Sequence, residues 1–155
     1  MKTRRMIVML LCVVMIAGMM TGCQKKIPQT AAEFTQIMET AGLEVRDNTG
    51  NGDENDKLTA KLYAIDENYT IEYYAFEDSG AAQRVYNSNY RTFDEENPVK
   101  TLSAKMTTSR YDYCAFTAGG QFYVIARIEN TLVGCVADAE YKQEILSHIK
   151  ALGYK

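Results

Sequence analysis

Residues 111–137 read YDYCAFTAGGQFYVIARIENTLVGCVA, and this stretch decides the fold. Its runs of aromatic and β-branched residues are of the types that strands prefer, and the turn-forming pairs Gly119-Gly120 and Glu129-Asn130 interrupt them. Turns of this kind join neighbouring antiparallel strands. The stretch therefore predicts a three-stranded meander with strands at Tyr111–Thr117, Gln121–Ile128 and Leu132–Ala137.

More strands are expected upstream of the meander. Leu58–Ile65 and Tyr69–Phe76 are rich in Tyr, Ile and Thr, and Asp66-Glu67-Asn68 separates them. They should form a hairpin, because polar turn residues between two such runs reverse the chain. A less regular run from Lys100 to Ser109 is a further strand candidate.

Three helices are expected around this sheet. The first follows Thr30-Ala31-Ala32-Glu33, which fits a capping box, and Gly42 is placed to end it. Asp78 or Ser79 can cap the second, and the third should run from about Ala139 to Leu152, with apolar residues at helical spacing. The prediction is a single α+β domain over residues 30–155, an antiparallel meander with helices mostly covering one face.

The N-terminus has the three zones of an export signal. Lys2 to Arg5 is basic, Met6 to Ala17 is wholly apolar, and Gly18 to Gly22 is small and neutral. The apolar zone is shorter than the roughly 20 residues that a spanning helix needs. Residues 1–22 are therefore predicted to be a signal peptide, removed on export.

Met20-Thr21-Gly22-Cys23 resembles the lipobox of bacterial lipoproteins, although Met20 stands where leucine is usual. The resemblance implies a diacylglyceryl group on Cys23, with residues 23–29 as a tether to the extracytoplasmic face of the cell membrane. Two acyl chains suffice for stable anchoring. The alternative is an ordinary cleaved signal followed by an incidental cysteine.

The rest of the chain resembles small lipoproteins of anaerobic Gram-positive bacteria, which carry a strand like Ile71-Glu72-Tyr73-Tyr74-Ala75-Phe76 before an Ala-rich helix. The resemblance implies a similar layout of elements. It implies no activity and no site residues.

The charge balance argues against nucleic acid as a partner. Three of the 17 basic residues lie in residues 1–22, so the remaining chain has 14 basic and 20 acidic residues and a formal charge of -6. Nucleic-acid binding depends on neutralising phosphates with Lys and Arg, and no basic stripe stands out.

Two cysteines remain after residue 23, and we expect both to be free, buried thiols. The predicted turns place Cys114 and Cys135 each opposite Val124, about 9 to 10 Å apart, which is too far for a disulfide. Both should then lie on the helix-covered side of the sheet, with Phe116, Phe122, Val124, Ala126 and Val133.

No catalytic or metal-binding pattern stands out, and no cofactor is predicted. Residues 47–53 begin like a calcium loop, but Leu58 occupies the position of the bidentate glutamate. His148 is the only histidine, and a half-buried packing role is expected for it. Ser103 and Lys105 could suggest a serine-lysine dyad, but residues two apart share a face of any strand.

Tyrosine is the unusual residue type, with 11 in the chain. Four of them fall within predicted strands and could form an aromatic face for a ligand, since tyrosine both packs and forms hydrogen bonds. Cross-strand packing is the simpler interpretation. These candidate binding residues are Tyr63, Tyr73, Tyr113 and Tyr123.

These observations predict a lipid-anchored extracytoplasmic envelope protein that is a non-catalytic binding or interaction module. Its partner would be the membrane, through the lipid on Cys23, together with an envelope protein, peptide or glycan. The alternatives are an enzyme or accessory subunit with a site that its residue patterns do not reveal, and a small ligand-binding lipoprotein.

Overall fold

The computed structural model describes residues 26–51 and 57–155. The predicted signal peptide, residues 23–25 and residues 52–56 of the polar loop lie outside these ranges. Within them the chain forms three α-helices and seven strands. The helices are α1 (Ala31–Thr40), α2 (Ser79–Glu96) and α3 (Lys142–Ala151), and the strands are β1 (Glu44–Asp47), β2 (Leu58–Ile65), β3 (Thr70–Phe76), β4 (Thr101–Thr107), β5 (Tyr111–Ala118), β6 (Gln121–Ile128) and β7 (Thr131–Asp138).

The seven strands form one antiparallel sheet, so the predicted α+β class is confirmed. Their order across the sheet is β1-β2-β3-β7-β6-β5-β4. Two meanders, β1 to β3 and β4 to β7, lie side by side and join through β3 and β7. The chain passes from the centre of the sheet to its edge through α2, so the sheet is not the simple meander that the sequence predicted.

Local sequence explains where the helices begin and end. The capping box at α1 is present, because the Thr30 side chain accepts from the Glu33 N–H and the Glu33 carboxylate accepts from the Thr30 N–H. Gly42 follows α1 with φ of 92°, a left-handed conformation that a glycine adopts without strain. Asp78 caps α2 by accepting from the Ala81 N–H at 2.8 Å. The closing segment begins as a 3₁₀ turn, Ala139–Tyr141, before α3.

Helices lie on both faces of the sheet. We call one side the closed face: α1 and α3 pack there against residues that include Ala64, Tyr73, Val124 and Val133. The opposite side is the α2 face, where α2 packs against residues that include Phe76, Phe116, Ile125 and Leu132. Two of the three helices thus cover one face, and the longest helix covers the centre of the other.

The prediction for the two cysteines is right about their burial but wrong about the strand register of Cys114. Both thiols are free and buried, as expected, and Cys135 lies opposite Val124. Cys114, however, pairs with Ile125, because a two-residue turn joins Ala118 to Gln121. A slip of one residue moves a side chain to the other face of a sheet. Cys114 therefore lies on the α2 face and Cys135 on the closed face.

Two elements at the margins of the domain were not predicted. β1 adds a short edge strand next to β2. Part of the predicted tether also packs on the domain: Lys26 donates to the Gly153 carbonyl at 3.1 Å, and its ammonium lies 4.6 Å from the centre of the Tyr111 ring. No helix in the described part of the chain is long and apolar enough to span a bilayer.

Candidate functional site: a groove on the α2 face

The four candidate binding tyrosines do not form one surface. Tyr73 and Tyr113 are buried in the closed face, while Tyr63 and Tyr123 are half-buried on the α2 face. Adjacent strands are antiparallel, so the register of each pair decides which side a tyrosine faces. The sequence patterns indicated pleated strands but left these registers open.

Tyr73 has a structural role. Its ring stacks on Phe34 with centres 4.9 Å apart, and its hydroxyl donates to the Gln29 carbonyl at 2.7 Å. Burial raises the pKa of Tyr73 to about 12. The side chain thus ties the segment before α1 to the sheet and is inaccessible to a ligand.

A groove of about 480 Å³ opens on the α2 face, between α2 and strands β3 and β7. We call it the Gly134 groove. Strand and helix residues of mixed polarity line it: Thr70, Glu72, Tyr74, Asn89, Phe93, Ile125, Leu132, Gly134, Cys135 and Val136. Its mixture of apolar walls and a few polar groups is typical of ligand sites.

The groove exists because one side chain is missing from the sheet. Gly134 lies between Ile125 of β6 and Glu72 of β3 in a row across three strands. Its φ is not positive, and a Cβ built there would lie 3.7 Å from the Val124 carbonyl oxygen, an ordinary contact. The backbone therefore does not require glycine here, and the empty position forms the floor.

The polar wall of the groove is a hydrogen-bonded pair on β3. The Tyr74 hydroxyl donates to the Glu72 carboxylate. Burial and the neighbouring Glu72 both raise the pKa of Tyr74. The pair keeps a carboxylate oriented at the rim, where it can accept further hydrogen bonds from a ligand.

An aromatic and basic surface continues from the groove onto β2. Tyr63 pairs with Glu72, and Lys61 pairs with Tyr74. The Lys61 ammonium lies 5.6 Å from the Tyr63 ring centre and 5.8 Å from that of Tyr74, close enough for cation–π attraction. Of the predicted tyrosines, Tyr63 and Tyr123 lie next to the groove, because Tyr63 pairs with Glu72 and Tyr123 pairs with Val136.

The other wall and one end of the groove are apolar. Phe93 comes from α2, and its ring meets the Tyr123 ring edge-on at 5.5 Å. Val136 of β7 is 44% exposed, an unusual fraction for a large aliphatic side chain in a central strand. A ligand that bound here would cover this apolar surface.

A larger depression, of about 600 Å³, lies beside α1 and is more open to solvent. Residues of a single helix dominate it, including Gln36, Ile37 and Thr40. The Gly134 groove draws residues from four elements instead. We therefore place the candidate site there, because ligand sites bring groups together from several elements.

The residues that could have suggested catalysis are engaged elsewhere. His148 is hydrogen-bonded to the Tyr69 hydroxyl at 3.0 Å, in keeping with a packing role. A bulge between Leu102 and Ala104 interrupts the alternation of β4. Ser103 accepts from Lys142, and Lys105 donates to Tyr90 on the α2 face, so no dyad forms.

Neither the calcium loop nor a metal cluster is visible in the described ranges. Asp47, its first position, accepts from the Thr49 N–H at 2.8 Å, and residues 52–56 lie outside these ranges. Among the residues described, no group of three or more His, Cys, Asp or Glu side chains is placed to hold a metal ion.

Sequence reasoning missed Gly134 and its neighbours. A glycine inside a strand run often marks close approach of another group or a gap in packing, and that signal was present between Val133 and Cys135. Asn89 and Val136 carried no signal of their own, because each looks like an ordinary surface position.

Comparison with known proteins leaves the family open. No protein-family model matches the chain, and no curated protein matches its sequence. A solved structure, the extracellular domain of PknH from Mycobacterium tuberculosis, is weakly similar, with 10% sequence identity and a TM-score of 0.37. The match covers 83% of this chain and 93% of that one, and a likeness this weak establishes no common function.

Proposed function

We propose that this protein is a lipid-anchored, extracytoplasmic binding module that is not a catalyst, and that the Gly134 groove is where it binds a peptide or glycan segment of the cell envelope. The observation that carries the proposal is the groove itself, with an empty floor at Gly134, a carboxylate at its rim and aromatic walls. These groups suit a ligand that has both apolar faces and hydrogen-bonding groups.

The chemistry of the groove favours binding. Its one carboxylate, Glu72, is already the acceptor of the Tyr74 hydroxyl. Hydrolytic sites need a nucleophile, a base and an oxyanion donor within reach of one another. Thr70, Asn89 and the Glu72–Tyr74 pair supply donors and acceptors for recognition instead.

The anchoring part of the proposal rests on the sequence before residue 26. The signal layout and Gly22-Cys23 support lipid on Cys23. Since Lys26 already contacts Gly153, only residues 23–25 would separate the acyl chains from the folded domain, a reach of roughly 10 Å. The domain would then bind its partner close to the bilayer.

A test of the anchor compares the full-length chain with Cys23→Ser. We expect the unaltered chain in the membrane fraction, with a diacylglyceryl mass on the peptide that begins at residue 23. Cys23→Ser should leave that peptide without lipid. An unmodified Cys23 in the unaltered chain, or a domain located in the cytosol, would remove the anchoring proposal.

A test of the groove fills its floor in steps. Peptide and glycan fragments released from bacterial cell walls serve as probes, and backbone amide shifts of the purified full-length chain report contact. We expect shifts around Gly134, weaker binding with Gly134→Ala and none with Gly134→Leu. Gly50→Leu, which adds the same side chain at an exposed position where nothing lies within 4 Å of the added Cβ, is the matched control and should bind normally.

A result that contradicts the groove proposal is equally clear. If shifts appear but persist unchanged in Gly134→Leu, the fragments bind elsewhere. If no fragment shifts any groove amide, the ligand class is wrong. Thermal midpoints of the three variants show whether each has kept its fold.

A further inference from the structure

The outer strand β4 is unusual in its exposure. All seven of its residues are exposed, and in the described part of the chain no strand pairs with its outer edge. Leu102 is 55% exposed and Met106 is 54% exposed, and Val99 just before the strand is 87% exposed. An unpaired edge with apolar side chains is a template for another strand.

The opposite edge of the sheet lacks these properties. β1 has only four residues, and three of them, Glu44, Arg46 and Asp47, are charged and exposed. Short, charged edges resist added strands. The sheet is thus protected at β1 and open at β4.

The charges within the segment that contains β4 have one sign. From Asn97 to Tyr111 the chain has three basic residues and no acidic residue. Lys100 pairs with Asp94 at 2.6 Å, and Arg110 pairs with Glu129. Lys105 instead donates to the Tyr90 hydroxyl at 2.7 Å; the Asp94 carboxylate attracts its charge but forms its ion pair with Lys100.

A lysine in an edge strand commonly blocks pairing by projecting from the edge. Here the Lys105 ammonium lies 4.2 Å from the centre of the Tyr90 ring, above the α2 face. The side chain is therefore bent towards α2 and leaves the edge clear. Lys105 stays exposed on the α2 face, the face on which a side chain opposite it on an added strand would lie.

A second copy of this chain is a poor occupant. Antiparallel pairing of two β4 strands would bring Lys105 of both copies to the same face at the new junction, because opposing residues share a face. Like charges in such positions are destabilising. A strand that carries carboxylates would have the opposite effect.

We propose that β4 is a docking edge for an extended peptide segment with acidic side chains, which adds to the sheet as an eighth strand. Main-chain hydrogen bonds would supply affinity, as in other cases of strand addition. Leu102 and Lys105 lie on the α2 face and Met106 on the closed face. The segment therefore needs a carboxylate on the side that meets Lys105 and an apolar side chain next to Met106.

The probe is a fluorescein-labelled, seven-residue peptide that alternates valine and glutamate, titrated against the purified full-length chain. Its partner probe has lysine in place of glutamate. We expect the acidic peptide to bind at least tenfold more tightly, with affinity that falls as salt rises. Hydrogen exchange of the β4 amides should slow when it is bound.

Two further arms identify the mode of binding. Methylation of the peptide amides along one edge should abolish binding, while methylation along the other edge should leave it, because only one edge of an added strand pairs with β4. Lys105→Gln should weaken the binding of the acidic peptide at least fivefold. Lys150→Gln, at an exposed position of α3, is the matched charge control and should leave affinity unchanged.

Several outcomes would overturn this proposal. Equal affinity for the two peptides would remove the charge argument, and equal effects of methylation on both edges would remove strand addition. Unchanged exchange of the β4 amides would place the peptide elsewhere. A dimer that protects β4 without peptide would show that a second copy is the occupant.

Discussion

The two faces of the sheet differ in how completely helices cover their apolar side chains. On the closed face, α1 and α3 cover a nearly continuous layer of buried side chains, and Tyr154 and Phe34 there are fully buried. On the α2 face a single helix covers the centre, and the surface around Lys61 and Tyr63 remains half-exposed. The closed face holds the larger buried cluster, and the α2 face combines a smaller buried cluster with the groove.

The faces also differ in how they treat polar groups. The covered part of the α2 face contains a buried ion pair, Asp112 with Arg127, and a buried hydroxyl, Tyr86, for which the described residues provide no partner. On the closed face, by contrast, the buried tyrosine hydroxyls have hydrogen-bond partners. The Tyr111 hydroxyl donates to the Tyr154 carbonyl, and the Tyr154 hydroxyl donates to the Thr131 hydroxyl. The α2 face therefore buries polar groups whose removal from water costs free energy.

The largest expected effect comes from breaking the ion pair. The side chains of Arg127 and Asp112 are 1% and 2% exposed and meet at 2.6 Å, and Arg127 also donates to the Ser109 and Glu129 carbonyls. Arg127→Met should cost about 3–5 kcal/mol, because it leaves Asp112 buried without a counter-charge. Urea unfolding measures the loss.

The matched control for this change is the double variant Arg127→Met with Asp112→Leu. It removes both charges, so most of the lost stability should return. If the double variant is as unstable as Arg127→Met alone, most of the lost stability comes from the hydrogen bonds to the two carbonyls and not from the unpaired carboxylate.

A pair of phenylalanines compares the two faces directly. Phe34 projects from α1 into the closed face and is fully buried, while Phe93 projects from α2 and is half-buried. Phe34→Ala should cost about 3–5 kcal/mol, and Phe93→Ala about 2 kcal/mol less than that. Equal losses in urea unfolding would show that the α2 face is packed as tightly as the closed face.

Much of this architecture was predictable from the sequence, and the parts that were not have physical reasons. The strands β2, β5 and β6 lie within a residue or two of the predicted bounds, because alternating residues and turn pairs are local signals. Whether Cys114 faced Val124 or Ile125 depended on one residue in a turn. The meeting of β3 with β7 depends on contacts between distant segments, which one sequence does not show.

The candidate site was predictable only in part. Tyr63 and Tyr123 lie beside the groove, but Tyr73 and Tyr113 are buried in the closed face, since residue type alone does not reveal a strand's neighbours. The floor at Gly134 depends on what lies on either side of it across the sheet. Those neighbours are set by the register of the strands, which sequence patterns predict poorly.

Two tyrosine hydroxyls test whether the two faces differ in how well their buried polar groups are hydrogen-bonded. Tyr154 donates to Thr131 at 2.6 Å on the closed face, while the buried Tyr86 hydroxyl on the α2 face has no partner in the described part of the chain. Tyr154→Phe should cost about 1 kcal/mol. Tyr86→Phe should be neutral or slightly stabilising, and a loss comparable to that of Tyr154→Phe would mean that the Tyr86 hydroxyl is satisfied in solution.

The smallest expected effect concerns the reactivity of the two thiols, one on each face. Burial raises the pKa of Cys135 to about 12. Burial also raises the pKa of Cys114, but the nearby Lys105 and Lys100 ammonium groups oppose that increase. Since the thiolate is the reactive form, Cys114 should be alkylated before Cys135 as the pH rises from 8 to 10 under native conditions.

The sign of the accompanying stability change follows from linkage. A thiol whose folded pKa is raised loses its proton first in the unfolded chain, so the stability that Cys135 contributes is present below about pH 9 and is lost as the pH rises towards 12. Mass spectrometry of iodoacetamide adducts follows each cysteine. Unfolding should expose both thiols, and Lys105→Gln should slow alkylation of Cys114 alone. Faster labelling of Cys135 in the native protein would contradict the expected order of the two thiol pKa values.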